Sequence, residues 1–182
     1  MASPLPRLKA AMVAFDEAVD SRLDRIRGNP TVDRVMYGAS DLGDMSFIWH
    51  LLGAGQGLLP GRNPMTAVRL STILGVESAL VNGPIKSLFR RSRPTWEAAH
   101  ARPHRLRTPR SSSFPSGHAS SAFTAAGVLA PGDPLAPLYY AVAVVVASSR
   151  VYVKIHHASD VVAGAALGIG LAAAANRLWP KP

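Results

Sequence analysis

The residues best suited to chemistry in this 182-residue sequence are a histidine and a carboxylate towards its C-terminal end. His156 and Asp160 are four positions apart, so on a helix both side chains project from one face. A carboxylate beside the Nδ1–H of an imidazole fixes the tautomer and leaves Nε2 as a free lone pair. This spacing makes His156 a candidate nucleophile. A helix-capping Asp160 beside a solvated His156 would fit the same pattern.

Two further stretches carry groups that bind anions. Lys86 and Arg93 are seven positions apart, so they share a face if they lie on one helix. A lysine supplies a point charge and an arginine a planar fork, and together they can hold a phosphate. Ser116-Gly117-His118 opens a segment of small residues, where the free N–H groups of a helix N-terminus would form an anion site. Alone, Ser116 fits a plain helix cap and His118 a surface histidine.

Five apolar segments must position these groups, and they cover residues 40–59, 65–82, 118–130, 135–149 and 160–179. If the five run as antiparallel helices, the end of the second, the start of the third, the end of the fourth and the start of the last meet at one end. Three cations, a helix N-terminus and two histidines with a carboxylate describe a phosphate-transfer pocket. The residues that meet there are Lys86, Arg93, Ser116, Gly117, His118, Arg150, His156 and Asp160.

Taken together, these three stretches resemble the signature of the type 2 phosphatidic acid phosphatase superfamily. The motifs are Lys86-x₆-Arg93-Pro94, Pro115-Ser116-Gly117-His118 and Ser149-Arg150-x₅-His156-x₃-Asp160, in the right order. The combined pattern is highly specific, although each part alone is not. The apolar segments around it are similar to the membrane branch of the family, which shares its site with vanadium haloperoxidases and bacterial class A acid phosphatases.

The resemblance implies a phosphatase that uses no metal ion or other cofactor and forms a covalent phosphohistidine. It implies that His156 attacks phosphorus while Asp160 orients it, and that His118 protonates the leaving group and then activates water. The phosphate oxygens would be held by Lys86, Arg93, Ser116, Gly117 and Arg150. Because His118 must be protonated while His156 is neutral, we expect a bell-shaped dependence of kcat/KM on pH between pH 4 and 9.

Composition excludes several classes of protein. The formal charge is +9, but charged residues are only 17% and hydrophobic residues 48% of the chain, which excludes a disordered polyelectrolyte. The absence of cysteine excludes disulfides, cysteine-ligated zinc, iron–sulfur clusters and thiol catalysis. The basic residues cluster in 7–34 and 86–110 without interleaved aromatics, so we expect no nucleic-acid partner. Arg90 and Arg91 fit ordinary cations at a helix C-terminus.

The sequence predicts an all-α fold, an integral membrane bundle of about five spanning helices after an N-terminal amphipathic helix. Three of the apolar segments reach the length that a bilayer requires, and Gly164-x₃-Gly168 suits close helix packing in lipid. The alternative is a soluble helical bundle with an alanine-rich core. We expect a multi-pass protein of a cell membrane, the inner or plasma membrane of a bacterium, whose partners are the bilayer and a lipid phosphate.

We expect residues 1–182 to form a single phosphatase domain, with an amphipathic helix over 7–27 and a helical core over 40–182. The helix either docks on the bundle or lies in the membrane interface. Most basic residues fall at the end of the bundle that carries the site. By the positive-inside rule, this end of the bundle would face the cytoplasm. Membrane relatives in bacteria usually have the site on the outer face, so the side stays open, as does the oligomeric state.

Three kinds of substrate remain open for such an enzyme, namely phosphatidic acid, phosphatidylglycerol phosphate and polyprenyl phosphates or diphosphates. One alternative function is a soluble-type acid phosphatase or a vanadate-dependent haloperoxidase relative, for which the chain is short and too apolar. Another is a non-catalytic membrane protein that binds lipid phosphates. Aromatic residues at positions 49, 96, 139 and 140 fit either membrane interfaces or buried packing.

Overall fold

A computed structural model describes residues 4–95 and 111–181, with side chains from residue 6 onwards. Within these residues the structure is helical and has no strand, which confirms the predicted all-α fold. Trp96 lies outside the described residues. The α-helices are α1 (Pro4–Asp24), α2 (Pro30–Gly43), α3 (Phe47–Leu58), α4 (Met65–Leu80), α5 (Gly117–Leu129), α6 (Ala136–Tyr152) and α7 (Ala158–Leu178), with a 3-10 turn at Asp44–Ser46 and a π turn at Val81–Ile85.

Helix α5 is the central element of the bundle. It packs against α4, α6 and α7, and its alanines are fully buried. Small side chains let three neighbouring helices approach one short helix of 13 residues. The larger core residues, among them Trp49, Leu70, Leu74, Leu129 and Tyr139, fill the space around it. The start of α5 is thereby held rigidly at one end of the bundle.

Two glycines of α7 allow it to lie directly on the backbone of α5. A Cβ added to Gly164 would lie 2.4 Å from the carbonyl oxygen of Ser116, and one added to Gly168 would lie 2.3 Å from that of Ser120. Both distances are far below van der Waals contact, so only glycine fits at these positions. The glycine spacing therefore sets the separation between the two helices that carry Ser116 and Asp160.

We expect Gly168→Ala to destabilise the fold by about 1–3 kcal/mol, because an extra methyl must push α7 away from α5. Gly170 is a matched control on the same helix, because a Cβ there would meet nothing within 4 Å. Gly170→Ala should be neutral or slightly stabilising, since alanine favours helix by about 0.5–1 kcal/mol over glycine. Thermal melts of detergent-purified variants measure both; a Gly168→Ala protein that melts at or above Gly170→Ala would contradict the argument.

The apolar segment 40–59 is not one helix, as the sequence analysis expects, but two. Helix α2 begins at Pro30, capped by the Asn29 side chain, and ends at Gly43; the chain then turns before α3 begins at Phe47. Met45 and Ser46 have positive φ angles of 52° and 58° in this turn. Without a glycine or proline at either position, the sequence gives no signal of the break. The break leaves Asp44 at the same end of the bundle as the start of α5.

The membrane-spanning potential of the described helices is concentrated in α7. Of these helices, only Ala158–Leu178 combines the length and apolar character that a bilayer crossing requires, and Ala136–Tyr152 is apolar but shorter. Helices α3, α4 and α5 have 12, 16 and 13 residues, below the roughly 17–25 residues of a typical span. The number of spans therefore stays a prediction.

The N-terminal amphipathic helix contacts the bundle through its second half. Helix α1 ends at Asp24, and Arg27 just beyond it donates from Nε to the carbonyl of Tyr152 at 2.8 Å and from Nη2 to that of Val151 at 2.9 Å. Leu8 in the first half and Phe15 just past the middle are 69% and 45% exposed. The helix is therefore docked at the end that carries the candidate site, while part of its apolar face stays outside the fold.

Candidate active site

His156 lies in the short connection between α6 and α7. Its backbone N–H donates to the carbonyl of Arg150 at 3.1 Å, which folds the connection back over the end of α6. The imidazole is only 3% exposed; its Nδ1 lies 3.6 Å from Oδ2 of Asp160 and its Nε2 lies 3.3 Å from Nη1 of Arg93. A guanidinium can only donate, so Nε2 is the acceptor and a neutral ring carries its proton on Nδ1, towards the carboxylate. The lone pair of Nε2 thus faces the guanidinium of Arg93.

The His156 ring is held in its neutral form. Burial, together with the nearby cations Arg150 and Arg93, lowers its pKa to about 3 against the opposing effect of Asp160. Below this pKa the ring would be protonated and its lone pair lost. At neutral pH the ring is therefore available as a nucleophile.

Asp160 joins the starts of two helices at the site. Its carboxylate is fully buried, and Oδ2 accepts the backbone N–H of His157 at 2.9 Å, which closes a capping box at the start of α7. Its carbonyl accepts the backbone N–H of Ser116 at 3.0 Å. These two hydrogen bonds fix the first turn of α7 against the residue that precedes α5.

The start of α5 faces Lys86. The Ser116 hydroxyl caps the helix by accepting from the N–H of Ala119 at 3.4 Å, and a Cβ on Gly117 would lie 3.6 Å from Nζ of Lys86. Lys86 itself is 7% exposed and donates to Oδ1 of Asn82 at 2.9 Å. Exposed N–H groups of a helix N-terminus and an ammonium group are therefore side by side, which is the arrangement that binds a phosphate.

The two arginines of the motifs are also directed to this end. Arg150 is 2% exposed and donates to the hydroxyl of Ser40, and its buried Nε has no hydrogen-bond partner among the described residues. Arg93 donates from Nη1 to the carbonyl of Ile155 at 3.0 Å and from Nη2 to those of Ser111 and Ser112 at 3.2 Å each. Both guanidinium groups are thus oriented by the protein before any ligand binds.

One sequence expectation about Lys86 and Arg93 is wrong. They do not share a helical face, because the helix ends just after Lys86 and residues 89–95 have no regular secondary structure. The Gly83-Pro84 pair lies in the π turn before this end, and proline cannot donate an internal helix hydrogen bond. The loop nevertheless folds back so that Arg93 lies beside His156, near enough to Lys86 to contribute to the lowering of its pKa.

His118 has a carboxylate partner that the sequence analysis does not identify. In the first turn of α5, its Nε2 lies 2.9 Å from Oδ1 of Asp44, in the turn between α2 and α3. Burial lowers the pKa of His118 below its ordinary value, and this carboxylate opposes the shift because it favours the protonated imidazole. Asp44 marks the start of the apolar part of 40–59 in the sequence, and its pairing with His118 depends on the unforeseen break in that segment.

Arg91 is not the helix-terminal cation that the sequence suggests. It lies beyond the end of the helix, and its guanidinium bonds Asp160 of α7 and Asp16 of α1, at 2.6 Å and 2.5 Å. Arg90, by contrast, is exposed. Besides His156 and the backbone N–H of His157, the carboxylate of the candidate site therefore has a cationic partner from the loop after Lys86.

A cavity of about 460 Å³ opens beside Arg93. Its walls are cationic and rich in hydroxyl groups, and the described residues that line it are Phe89, Arg90, Arg91, Ser92, Arg93, Ser111 and Ser112. Within 4–95 and 111–181, no three histidine, aspartate or glutamate side chains are grouped as they would be around a metal ion. The arrangement is that of an anion site built from arginine, lysine and backbone N–H groups.

Lys86 gives the site a pH dependence that can be measured. Burial first, and then Arg93 and Arg150, lower the pKa of Lys86 to about 8. Lys86 therefore loses its charge as the pH rises through 8. If the site binds phosphate, inorganic phosphate should inhibit the enzyme several-fold more weakly at pH 9.5 than at pH 8. Phosphate itself stays a dianion over this range, so the change would come from the protein.

The control is Lys86→Arg, because an arginine keeps its charge throughout this range. In that variant the inhibition constant should stay nearly constant between pH 8 and 9.5. If phosphate inhibition weakened equally in both proteins, a group other than Lys86 would cause the change above pH 8, and the prediction would be contradicted.

Comparison with known proteins completes the description of the site. Residues 66–182 match the family model of the PAP2 superfamily, a range that contains all three motifs. The chain also resembles a solved structure described as that of the first transmembrane PAP2 type phosphatidylglycerolphosphate phosphatase from Bacillus subtilis, with a TM-score of 0.70 and 28% identity over 92% of this chain and 86% of that one. No protein of curated function matches the chain significantly.

Proposed function

The chain belongs to the PAP2 superfamily, and from that membership we propose that it is a membrane phosphatase that removes phosphate from a lipid phosphate monoester or diphosphate through a phosphohistidine. One observation carries the proposal. The Nε2 lone pair of His156 faces Arg93, while Nδ1 faces Asp160 at 3.6 Å. A phosphate held by Arg93 would present its phosphorus to this lone pair.

In the first step His156 acts as nucleophile. Nε2 forms a bond to phosphorus while the bond from phosphorus to the lipid oxygen breaks, and His118 gives its proton to that oxygen. Asp160 stabilises the positive charge that develops on the His156 ring. The products are the free lipid alcohol, or the lipid monophosphate from a diphosphate, and a phosphorylated His156.

In the second step water replaces the histidine. Neutral His118 now takes a proton from water, whose oxygen bonds to phosphorus as the P–N bond breaks. Inorganic phosphate leaves, and both histidines return to their starting states. Asp44, whose Oδ1 lies 2.9 Å from Nε2 of His118, favours the protonated form that the first step requires, and it opposes the burial that lowers the pKa of His118.

The charge on the transferring phosphoryl group is balanced by side chains. Lys86, Arg93 and Arg150 would each face an equatorial oxygen, with the N–H groups at the start of α5 as further donors. Cations held in place before the substrate arrives supply what metal ions supply in other phosphatases, because phosphoryl transfer depends mainly on positioning and charge. We therefore expect the reaction to proceed without a metal ion.

The substrate is proposed to be a lipid, and the protein a multi-pass component of a cell membrane. The length and apolar character of α7 and the similarity to a transmembrane phosphatase support this location. That neighbour is a phosphatidylglycerolphosphate phosphatase, which makes phosphatidylglycerol phosphate the first substrate to test. Phosphatidic acid and polyprenyl phosphates or diphosphates present the same phosphoryl group and complete the panel.

The test is phosphate release by the detergent-purified full chain from this panel, with EDTA present and vanadate as inhibitor. We expect release that resists EDTA, is inhibited by vanadate, and is fastest for one lipid class. Release from none of the lipids by a folded protein that binds vanadate would place the substrate outside the panel. Release that stops when EDTA is added would overturn the metal-independent mechanism.

A further inference from the structure

Asp16 of the N-terminal helix is buried at the start of α7, only 7% exposed. Its Oδ1 accepts the backbone N–H of Ser159 at 2.7 Å, and its Oδ2 accepts the Ser159 hydroxyl at 2.9 Å. The same Oδ2 accepts from Nη2 of Arg91 at 2.5 Å. A carboxylate from α1 therefore caps α7, the helix that carries Asp160 in its first turn.

Arg91 extends this contact to the candidate site. Its Nη1 donates to Oδ1 of Asp160 at 2.6 Å and to the Ser159 hydroxyl at 2.7 Å. The other carboxylate oxygen of Asp160, Oδ2, is the one that faces Nδ1 of His156. Arg91 thus holds one oxygen of the carboxylate while the backbone N–H of His157 holds the other, and the two hydrogen bonds together set its orientation.

The burial of these groups makes the arrangement strong. Asp160 is fully buried, and the side chains of Arg91 and Asp16 are 20% and 7% exposed. Charges with so little contact to water are weakly screened. An exposed arginine at this position would contribute little, but here it links two buried carboxylates whose repulsion it removes.

Asp16 also balances the positive charge that Arg91 places next to Asp160. If Asp16 were absent, Arg91 would bring an uncompensated positive charge to Asp160 and weaken its attraction for the imidazolium that forms on His156. If Arg91 were absent, Asp160 would keep the backbone N–H of His157 but would lose the side-chain partner of its Oδ1. The two residues therefore balance each other, and their effects are those of one unit.

We propose that Arg91 and Asp16 are positioning residues for the nucleophile, so that helix α1 is part of the catalytic apparatus. The inference rests on the proposed function of His156. It goes beyond the three motifs, because Arg91 acts through Asp160 and not on the phosphate, and because Asp16 comes from a helix outside residues 66–182 of the family match.

The proposal predicts a specific split between kinetic constants. Arg91→Gln and Asp16→Asn should each lower kcat by roughly ten- to a hundredfold, as expected when a supporting hydrogen bond to a reacting group is lost. Phosphate inhibition should change less than about threefold, because neither residue contacts the phosphate. Inhibition by vanadate, which must bond to His156 as the transition state does, should weaken in parallel with kcat/KM.

The variants are compared as full-length protein in detergent, with melting curves for each. Arg91→Lys keeps the charge and should recover part of the rate. The double variant should lose about as much as the worse single variant, because the two residues act as a unit. The matched controls are Glu17→Gln, beside Asp16 on α1, and Arg22→Gln, both at exposed positions.

Three results would overturn the proposal: an unchanged kcat in Arg91→Gln, a loss of phosphate inhibition in step with kcat, and equal losses in the Glu17→Gln or Arg22→Gln control. If Arg91→Gln fails to fold, Asp16→Asn and Arg91→Lys carry the same test. Failure of the proposed function has a different signature, since His156→Ala would then be as active as the parent. In a protein inactive on the whole panel, vanadate affinity of the variants still decides the inference.

Discussion

We expect His156→Ala to lower kcat at least about 10⁴-fold. This should be the largest loss caused by any single replacement in this chain. Without Nε2 no covalent intermediate forms, and what remains is the contribution of the cations and the helix N-terminus. The measurement is phosphate release from the best lipid of the panel. It is paired with trapping of ³²P-labelled protein, whose label should be labile in acid and stable in alkali, as a phosphoramidate is.

The adjacent histidine supplies the control for this replacement. His157 precedes α7 as its N-cap, where it forms a capping box with Asp160, and its Nε2 lies 3.3 Å from the carbonyl oxygen of Ser92. Asparagine is a good N-cap, so His157→Asn should fold and keep its activity within a few-fold. Labelled phosphate on a His156→Ala protein, or activity within tenfold of the parent, would show that the nucleophile is another group.

The residues of the three motifs could be found from the sequence because their chemistry is local. Histidine, serine and arginine at helix ends are recognisable from spacing, and antiparallel helices bring such ends together whatever the details of packing. The prediction that these ends meet needed only the count of apolar segments. Arg93 lies beside His156 although the helix that was to align it with Lys86 ends too early, because the loop folds back to this end of the bundle.

The supporting carboxylates could not be found in this way, because each comes from a distant part of the chain. Asp16 meets Ser159 across 143 residues, and Asp44 reaches His118 only because the chain breaks at Met45 and Ser46. Nothing in the sequence distinguishes Asp16 from the other acidic residues of α1, which is amphipathic with charges on several sides. Their roles depend on tertiary geometry, whereas those of the motif residues depend mainly on sequence position.

The early end of the helix after α4 is a different case, because the sequence does contain its signal. Gly83-Pro84 combines the residue with the greatest backbone freedom with one that cannot donate a helix hydrogen bond. The chain forms a π turn at this point, in which Gly83 has φ −95° and ψ −107°. The widened turn precedes Lys86, whose Nζ lies beside the start of α5. An interruption that weakens the helix is therefore also what delivers a cation to the site.

The second large effect is expected for His118→Gln, in which kcat falls by roughly 10²–10⁴-fold, the usual contribution of a general acid and base. The size of the loss should depend on the leaving group. A lipid alkoxide needs a proton to leave, whereas a nitrophenolate leaves without one, so phosphorylation of His156 by p-nitrophenyl phosphate should be much less impaired. Rapid-quench kinetics with this substrate should show a burst, because the second step still lacks its base and phosphorylated protein accumulates.

Asp44 provides the internal check on this assignment. If the carboxylate 2.9 Å from His118 holds the ring in its protonated orientation, Asp44→Asn should reproduce part of the loss with lipid substrates and little of it with p-nitrophenyl phosphate. Asp41→Asn, at an exposed position on α2, should have no comparable effect. Equal losses of His118→Gln on both kinds of substrate would mean that His118 binds phosphate instead of transferring a proton. The pH dependence of the wild-type enzyme is a separate prediction. Because the pKa of His156 is about 3, kcat/KM should fall on the acidic side only near pH 3, which is below the interval from pH 4 to 9 expected from the sequence.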